Sequence, residues 1–321
     1  MKGRVTPRAR TGLAALVAVL LTLTACSTGN EDGGGSASSG GDDCKIGMTQ
    51  INQTAVFFTQ MNEGAEETAK AAGCDLSIAN ANNDSAKQSA DIENFVSQGM
   101  TGIIVVAIDV NGVLPAVKAA RDAGIKVVAI DAQLEKDSIE TFVGVDNKKA
   151  GALAGQWMID EGLVDGKSYG VVDARNSFIQ NQREDSFRKV IDEAGAKHTQ
   201  SVNGDNVQEK AATAAQNLVT AQKNLDFVYT TGEPATVGAA AALDAKGSTK
   251  IVGWDLTKEV IAGIDSGLVS AVVQQDPKQE GVEAVNELKA ILGGADPKGF
   301  IDVPVTIVTK ENVDDYRPIF E

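Results

Sequence analysis

The sequence has little histidine and no excess of positive charge, and each shortage argues against a class of function. His198 is the single histidine among 321 residues, which leaves little room for a zinc site or a catalytic triad that depends on histidine. There are 44 Asp and Glu against 29 Lys and Arg, so the formal net charge is −15. Nucleic-acid phosphates are bound by clustered Lys and Arg. We therefore expect no bound metal and no nucleic-acid partner.

The start of the chain lacks an apolar run long enough to cross a membrane. Residues 12–25 are apolar, but this run is only about 14 residues long, whereas a membrane helix needs about 20. Basic residues precede the run, which predicts a secretory signal peptide over residues 1–25. Leu23-Thr24-Ala25-Cys26 resembles the bacterial lipobox, in which the cysteine is lipidated and becomes the first mature residue. The alternative is an ordinary signal peptide with an incidental Cys26.

Residues 26–43 are rich in Gly, Ser and acidic residues and contain no large apolar side chain. Such a segment cannot bury a core and is expected to be a flexible linker. A lipid on Cys26 followed by this linker describes an extracytoplasmic protein anchored to the outer face of the bacterial cell membrane. One acyl chain anchors weakly, so a stable anchor is expected to carry several.

The two remaining cysteines each precede an apolar run. If the runs that follow Cys44 and Cys74 are adjacent parallel strands in register, both thiols lie at the same edge of one sheet. An oxidising compartment then favours a disulfide between them. The alternative is two free, buried thiols.

From residue 44 onward, short runs rich in β-branched residues alternate with Ala-rich stretches of helical pattern. Residues 101–108 and 125–130 are examples of the strand-like runs, and the last one is residues 303–308. Apolar strands separated by single helices indicate parallel sheets covered by helices on both faces. The predicted fold class is α/β, with two doubly wound parallel-sheet lobes.

Amide, carboxylate and aromatic side chains follow many of the predicted strands. Gln50, Asn80, Asp131, Asp173 and Asp255 are examples. In open parallel sheets, ligands bind beyond the carboxyl ends of the strands. Planar polar groups that donate and accept hydrogen bonds suit a polyhydroxyl ligand, and aromatic faces suit its C–H surfaces. The pattern therefore predicts a sugar or polyol ligand.

Six motifs, taken in chain order, resemble those of the ribose/galactose/fructose group of periplasmic-type sugar-binding proteins, the receptors of ABC transporters. They are Phe57-Phe58 with Glu63-Gly64-Ala65, residues 80–84 (NANND), Ile130-Asp131, residues 183–187 (REDSF), Gly253-Trp254-Asp255 and residues 274–277 (QQDP). The resemblance covers residues 44–321. It implies a type I periplasmic binding protein without a cofactor, a monomer whose two lobes are joined by a three-crossover hinge near residues 144, 275–277 and 304–306.

The resemblance also implies the limits of the lobes and the ligand contacts. The N-terminal lobe is expected to comprise residues 44–143 and 276–304, and the C-terminal lobe residues 144–275 and 305–321. Phe58 and Trp254 are expected to sandwich the sugar, although Trp254 could instead be a core residue. The expected ligand-binding residues are Asn52, Gln53, Phe57, Phe58, Asp131, Asn181, Arg183, Asn206, Glu233, Trp254, Asp255 and Gln275.

The sequence departs from the ribose-binding pattern at three places. Ala132 stands where ribose binders have Arg, Gly232-Glu233 where they have Asn-Asp, and Ser186 where the motif has Gly. Loss of an Arg donor removes one bidentate hydroxyl contact, so the ligand need not be ribose. A pentose, a ketose and a linear polyol all remain open.

The resulting hypothesis is a solute receptor that delivers its ligand to an ABC permease and catalyses no reaction. A sensory receptor for a signalling partner has the same fold and is not distinguished by the sequence. A secreted carbohydrate-active enzyme would need two carboxylates about 5–9 Å apart, and Asp131 and Asp255 are the pair it would use. A transcription regulator of the lactose-repressor type is disfavoured, because no helix-turn-helix module precedes residue 44.

Overall fold

The structure is a computed structural model that describes residues 44–244 and 246–320. The predicted signal peptide, the lipobox with Cys26 and the linker to residue 43 lie outside the described residues. No helix in the described part of the chain combines the length and the apolar character needed to span a membrane.

Strands and helices alternate along the described chain. The strands are β1 (Lys45–Gln50), β2 (Asp75–Asn80), β3 (Gly102–Val105), β4 (Lys126–Ile130), β5 (Thr141–Gly144), β6 (Ser168–Asp173), β7 (Lys197–Asn203), β8 (Phe227–Thr230), β9 (Lys250–Trp254), β10 (Val269–Gln274), β11 (Phe300–Asp302) and β12 (Thr306–Val308). The helices are α1 (Val56–Ala72), α2 (Ser85–Ser97), α3 (Leu114–Asp122), α4 (Asn147–Asp160), α5 (Phe178–Glu193), α6 (Gln208–Ala221), α7 (Glu233–Ala242), α8 (Lys258–Asp265), α9 (Pro277–Leu292) and α10 (Arg317–Phe320).

The strands form two six-stranded sheets with matching topology. The first sheet has the order β11-β5-β4-β3-β1-β2, and the second has the order β12-β10-β9-β8-β6-β7. All pairings are parallel except that of β12, which runs antiparallel to β10. The predicted fold class of two doubly wound α/β lobes is thereby confirmed.

The central strands of each sheet are buried on both faces because they are rich in apolar residues. In the first sheet, Ile104 packs on the side of α1 and α9, whereas its neighbour Ile103 packs on the side of α2 and α3. Both side chains are fully buried, as expected for successive residues of a central strand, which point to opposite faces. The second sheet is covered in the same way, so the carboxyl ends of its strands, where the next helices begin, remain free to form a site.

The strand expected at residues 303–308 is confirmed only in its second half. Thr306–Val308 forms β12 beside β10 in the second sheet, whereas Phe300–Asp302 forms a further strand, β11, beside β5 in the first. The chain changes sheet at Pro304, which has no N–H to donate to a strand partner and therefore favours a break in the strand. Its neighbour Val303 is buried.

A disulfide joins Cys44 and Cys74 at the amino ends of β1 and β2. The two strands run parallel and in register, with Lys45 opposite Asp75. The N–H of Asp75 donates to the carbonyl oxygen of Cys44 at 2.8 Å. The disulfide therefore lies at the sheet edge opposite to the carboxyl ends, where the ligand is expected.

Candidate functional site

Two aspartates occupy equivalent places in the two lobes. Asp131 follows β4 and donates its N–H to the Val143 carbonyl at 3.0 Å, and Asp255 follows β9 and donates to the Val273 carbonyl at the same distance. Both have left-handed backbone conformations, with φ of 60° and 58°. This conformation costs free energy for most residues and is tolerated best by Gly, Asn and Asp. The backbone turns there present both carboxylates at the carboxyl ends of the sheets.

Arg183 is the cation of this site and is almost fully buried. From α5 it donates Nε to Asn147 Oδ1 at 2.7 Å, one terminal nitrogen to the Thr231 carbonyl at 3.2 Å and the other to Gln275 Oε1 at 3.3 Å. A guanidinium has five N–H donors in a fixed plane. Three are used by these bonds, so two make no hydrogen bond to the described residues.

The indole ring of Trp254 stacks against the guanidinium of Arg183. The ring lies 3.6 Å from the guanidinium carbon, in cation–π geometry. The indole is fully buried and donates Nε1 to Tyr229 Oη at 2.8 Å. Trp254 belongs to the core of the second lobe and one face of its ring is covered by Arg183, which favours the alternative of a core residue. Stacking of Trp254 on a ligand stays a prediction.

Gln275 links Arg183 to Asp255. Its side-chain amide donates to both carboxylate oxygens of Asp255, at 3.1 and 3.0 Å, while its oxygen accepts from Arg183. All three side chains are more than nine-tenths buried. These hydrogen bonds fix the orientation of the three planar side chains relative to one another. Their remaining polar atoms are therefore held in position before a ligand binds.

The carboxylates of the site are incompletely compensated by Arg183. Burial raises the pKa of Asp131 and of Asp255 above the usual value, and the positive charge of Arg183 only partly opposes this. Burial lowers the pKa of Arg183, and the two aspartates oppose that shift. The pKa of Glu233, at the start of α7, is raised to about 7 by loss of solvent and by the negative charges of Asp255 and Glu259.

A cavity of about 340 Å³ adjoins these groups and is lined by both lobes. Its lining includes Phe57 and Gln60 from α1, Glu233 and Asp255 from the second lobe, and Pro277 at the start of α9. A larger cavity of about 820 Å³ is lined by parts of α4, α5 and β11. It contains none of the expected ligand-binding residues, so we assign the site to the smaller cavity.

The two phenylalanines at the start of α1 differ in whether they line the cavity. Phe57 lines the cavity, whereas Phe58 packs beside it, edge to face, with ring centroids 5.4 Å apart. Both side chains also contact the core of the first lobe. Phe57 is therefore better placed than Phe58 to contact a ligand.

Two of the expected amide contacts are engaged in local structure. Asn52 accepts hydrogen bonds from the N–H groups of Thr54 and Ala55, which shapes the loop before α1, and donates to Asn83 at 3.2 Å. Gln53, beside it, is exposed. Neither residue lines the smaller cavity.

The expected contacts from α5 and from the loop after β7 belong to a network around Arg183. Asn206 accepts from Gln180 Nε2 at 2.8 Å, and Gln180 in turn accepts from Thr231 Oγ1 at 2.7 Å. Asn181 donates to the Arg175 carbonyl, and among the described residues its own buried side-chain oxygen has no hydrogen-bond partner. Asn206 and Asn181 therefore lie in the surroundings of the site.

Three residues that the sequence did not single out belong to the site. Asn147 holds Arg183, Gln60 lines the cavity, and Glu280 is a fully buried glutamate on α9 whose pKa is raised by burial and by Asp131 and Asp255. The sequence does contain a signal for Glu280. This acidic residue lies four positions before Ala284 and eight before Leu288, so it falls on the buried face of an amphipathic helix.

Comparison with known proteins places this arrangement in a family. The model of the periplasmic binding protein domain matches residues 46–296. The ribose import binding protein of Bacillus subtilis is 28% identical over 302 residues, covering 92% of this chain and 99% of that protein. The xylitol-binding protein of Mycolicibacterium smegmatis is 28% identical over 310 residues, covering 94% and 86%.

The solved structures agree with the fold described above. The periplasmic ribose ABC transporter protein of Conexibacter woesei superposes with a TM-score of 0.80 at 26% identity, covering 86% of this chain and 95% of that one. The two lobes, the site at their strand ends and the match over residues 46–296 lead to one conclusion. This chain belongs to the periplasmic binding protein family of solute receptors.

Proposed function

We propose that this protein is an extracytoplasmic receptor that captures a monosaccharide or polyol between its lobes and delivers it to an ABC permease. The observation that carries the proposal is the buried guanidinium of Arg183, which has two N–H donors that make no hydrogen bond to the described residues and interacts with the carboxylates of both lobes, Asp131 and Asp255. Donors and acceptors fixed in planes match vicinal hydroxyl groups. The relatives named for ribose and xylitol support this ligand class.

In this proposal, binding closes a hinge between lobes that comprise residues 44–143 with 276–304 and residues 144–275 with 305–321. Asp131 lies in the first set, while Arg183 and Asp255 lie in the second. A ligand that contacts both sets stabilises the closed form relative to the open one, which is the thermodynamic requirement for ligand-driven closure. The receptor acts as a monomer, is anchored through a lipid on Cys26 and needs no catalytic chemistry.

A thermal-shift screen of pentoses, hexoses, ketoses and pentitols tests the ligand class. A ligand that binds only the folded protein stabilises it by RT ln(1 + [L]/Kd), which is about 2.7 kcal/mol at a hundredfold excess over Kd. We expect one compound or a small related group to raise Tm, and we expect to recover it chemically unchanged after long incubation. If no polyhydroxyl compound raises Tm, the proposal is wrong, and if the compound is converted, the protein is an enzyme.

A further inference from the structure

Helix α9 carries two buried glutamates that differ in their partners. Glu287 accepts hydrogen bonds from Thr141 Oγ1 and from the N–H of Lys298, both at 2.8 Å, and its other oxygen lies 3.4 Å from Lys298 Nζ. Glu280 is fully buried as well, but within the described residues neither of its carboxyl oxygens has a hydrogen-bond partner. A buried carboxylate without a partner is destabilising, because its lost hydration is not replaced. Glu280 therefore lacks a donor that Glu287 has.

The charged groups that act on Glu280 are those of the ligand site. Asp131, Asp255 and Asp276 are negative, and Arg183 is the only positive group among them. Asp276 is engaged as the cap of α9, where it accepts from the N–H of Gln279. Asp131 and Asp255 already outnumber the single guanidinium of Arg183. Glu280 adds a third carboxyl group to them.

The lining of the cavity also has more acid than base, with Glu233, Asp255 and Glu259 against Lys258. The charges of Asp255 and Glu259 both help to raise the pKa of Glu233. Gln60, on the opposite wall, has a buried side-chain nitrogen with no hydrogen-bond partner among the described residues. The site therefore offers unused acceptors at Glu280 and an unused donor at Gln60.

A neutral sugar supplies hydroxyl donors but no charge, whereas an ammonium group supplies three donors and a full positive charge. A metal ion is a poorer candidate for that charge, because the described residues contain no group of three or more His, Cys, Asp or Glu arranged to hold one. We propose that the ligand is a polyhydroxyl compound that carries a protonated amino group, and that Glu280 is the residue that selects for the amine. This inference rests on the proposed function and narrows its ligand class.

The test compares matched pairs of ligands by calorimetry at pH 7. The pairs are sorbitol with its 1-amino-1-deoxy derivative, glucose with glucosamine, galactose with galactosamine and myo-inositol with an aminodeoxy-inositol. In at least one pair we expect the amine to bind about tenfold more tightly or better, as expected for a charge-assisted hydrogen bond in a buried site. N-acetylation of a preferred amino sugar, which removes the charge, is expected to abolish its advantage.

Two variants of Glu280 assign the selectivity to this side chain. Glu280→Gln keeps the shape and removes the negative charge, and we expect it to lower the preference for the amine about tenfold. Glu280→Met serves the same purpose if the glutamine variant folds poorly. The matched control is Glu283→Gln, one turn further along α9, where Glu283 accepts from Gln279 and its charge lies outside the group that acts on Glu280. We expect the control to keep the full preference.

The outcomes separate this inference from the proposed function. If neutral polyhydroxyl compounds bind and their amines bind no better, the receptor function stands and the amine inference is wrong. If amines are preferred but Glu280→Gln keeps the preference, the assignment to Glu280 is wrong. If neither neutral nor amino compounds bind to the wild-type protein, the proposed function itself fails.

Discussion

At the scale of single residues, Arg183 combines charge, planarity and support in a way that a lysine cannot reproduce. Its guanidinium is held by three hydrogen bonds and stacked on Trp254 at 3.6 Å. A lysine ammonium is a point charge on a flexible stem and cannot make the same bonds in one plane. The orientation of the two remaining donors therefore depends on the identity of this residue.

Replacement of Arg183 by lysine is expected to lower ligand affinity about tenfold to hundredfold, since fixed, charge-assisted donors are lost. Calorimetric titration with the ligand found by the screen measures the effect. The matched control is Arg188→Lys on the same helix, because Arg188 pairs with Glu184 and Asp192 and its charge is not among those that act on Asp131 or Asp255. An unchanged Kd in Arg183→Lys would show that the guanidinium does not contact the ligand.

Glu233 is expected to make thermal stability depend on pH. Its pKa rises from the ordinary 4.5 to about 7 on folding, so ionisation costs more in the folded state than in the unfolded chain. The stability that protonated Glu233 gives the folded protein is fully present below about pH 4.5 and is lost as the pH rises to about 7. Melting scans from pH 5 to 8 should show a smaller fall in Tm for Glu233→Gln than for the wild type.

The control for this prediction is Glu311→Gln, in the loop after β12. The pKa of Glu311 is lowered by hydrogen bonds to Thr309 and to its own N–H, and Glu311 is not among the charges that raise the pKa of Glu233. The Glu311 variant should therefore keep the wild-type slope between pH 5 and 8. Equal slopes for wild type and Glu233→Gln would contradict the raised pKa of Glu233.

At the scale of secondary structure, strands and helices followed the sequence pattern closely where both burial and helix caps were strong. The strand-like run predicted at residues 125–130 corresponds to β4, Lys126–Ile130. The pattern was only partly right at residues 300–308, where two three-residue strands lie in different sheets. Strands of three residues are too short to show a hydrophobic periodicity in the sequence. The change of sheet at Pro304 also depends on tertiary contacts with other parts of the chain.

The disulfide between β1 and β2 is expected to stabilise the first lobe without affecting the site. Its cysteines are separated by 30 residues, and closing a loop of this size in the unfolded chain is worth about 3 to 4 kcal/mol. The double variant Cys44→Ser with Cys74→Ser should therefore melt several degrees lower. Ligand affinity should be unchanged, because the cysteines lie at the amino ends of the strands and the site lies at the carboxyl ends.

Alkylation of the folded protein without reduction, followed by mass measurement, checks the premise of that experiment. Neither Cys44 nor Cys74 should react. Modification of both would mean that the thiols are free, and the expected loss of stability would then not occur.

At the scale of the whole molecule, two lobes of matching topology present their strand ends to one shared site. Asp131 and Asp255 hold equivalent positions in the two sheets and have nearly the same backbone geometry. The carboxyl groups of both lobes interact with Arg183 of the second lobe. The site thus requires both lobes, which is the arrangement that couples ligand binding to closure.

The proposed anchor is tested on the intact chain in a bacterial host. Replacement of Cys26 by serine removes the acceptor for the lipid, so the protein should move from the membrane fraction to the soluble extracytoplasmic fraction. Ligand binding by the released protein should equal that of the anchored form, because the described fold begins at Cys44. Retention of Cys26→Ser in the membrane fraction would contradict the lipid anchor.

The sequence by itself determined most of the order of strands and helices, the α/β class and the positions of Asp131 and Asp255 directly after strands and of Arg183 within a helix. These features are local, because apolar periodicity, turns and short motifs depend on residues that are close together in the sequence. Only the tertiary structure decided which polar groups meet. Trp254 lies beneath Arg183, Gln275 bridges Arg183 to Asp255, and Glu280 is buried near Asp131. These contacts join residues far apart in the chain, and their geometry follows from how the helices pack on the two sheets.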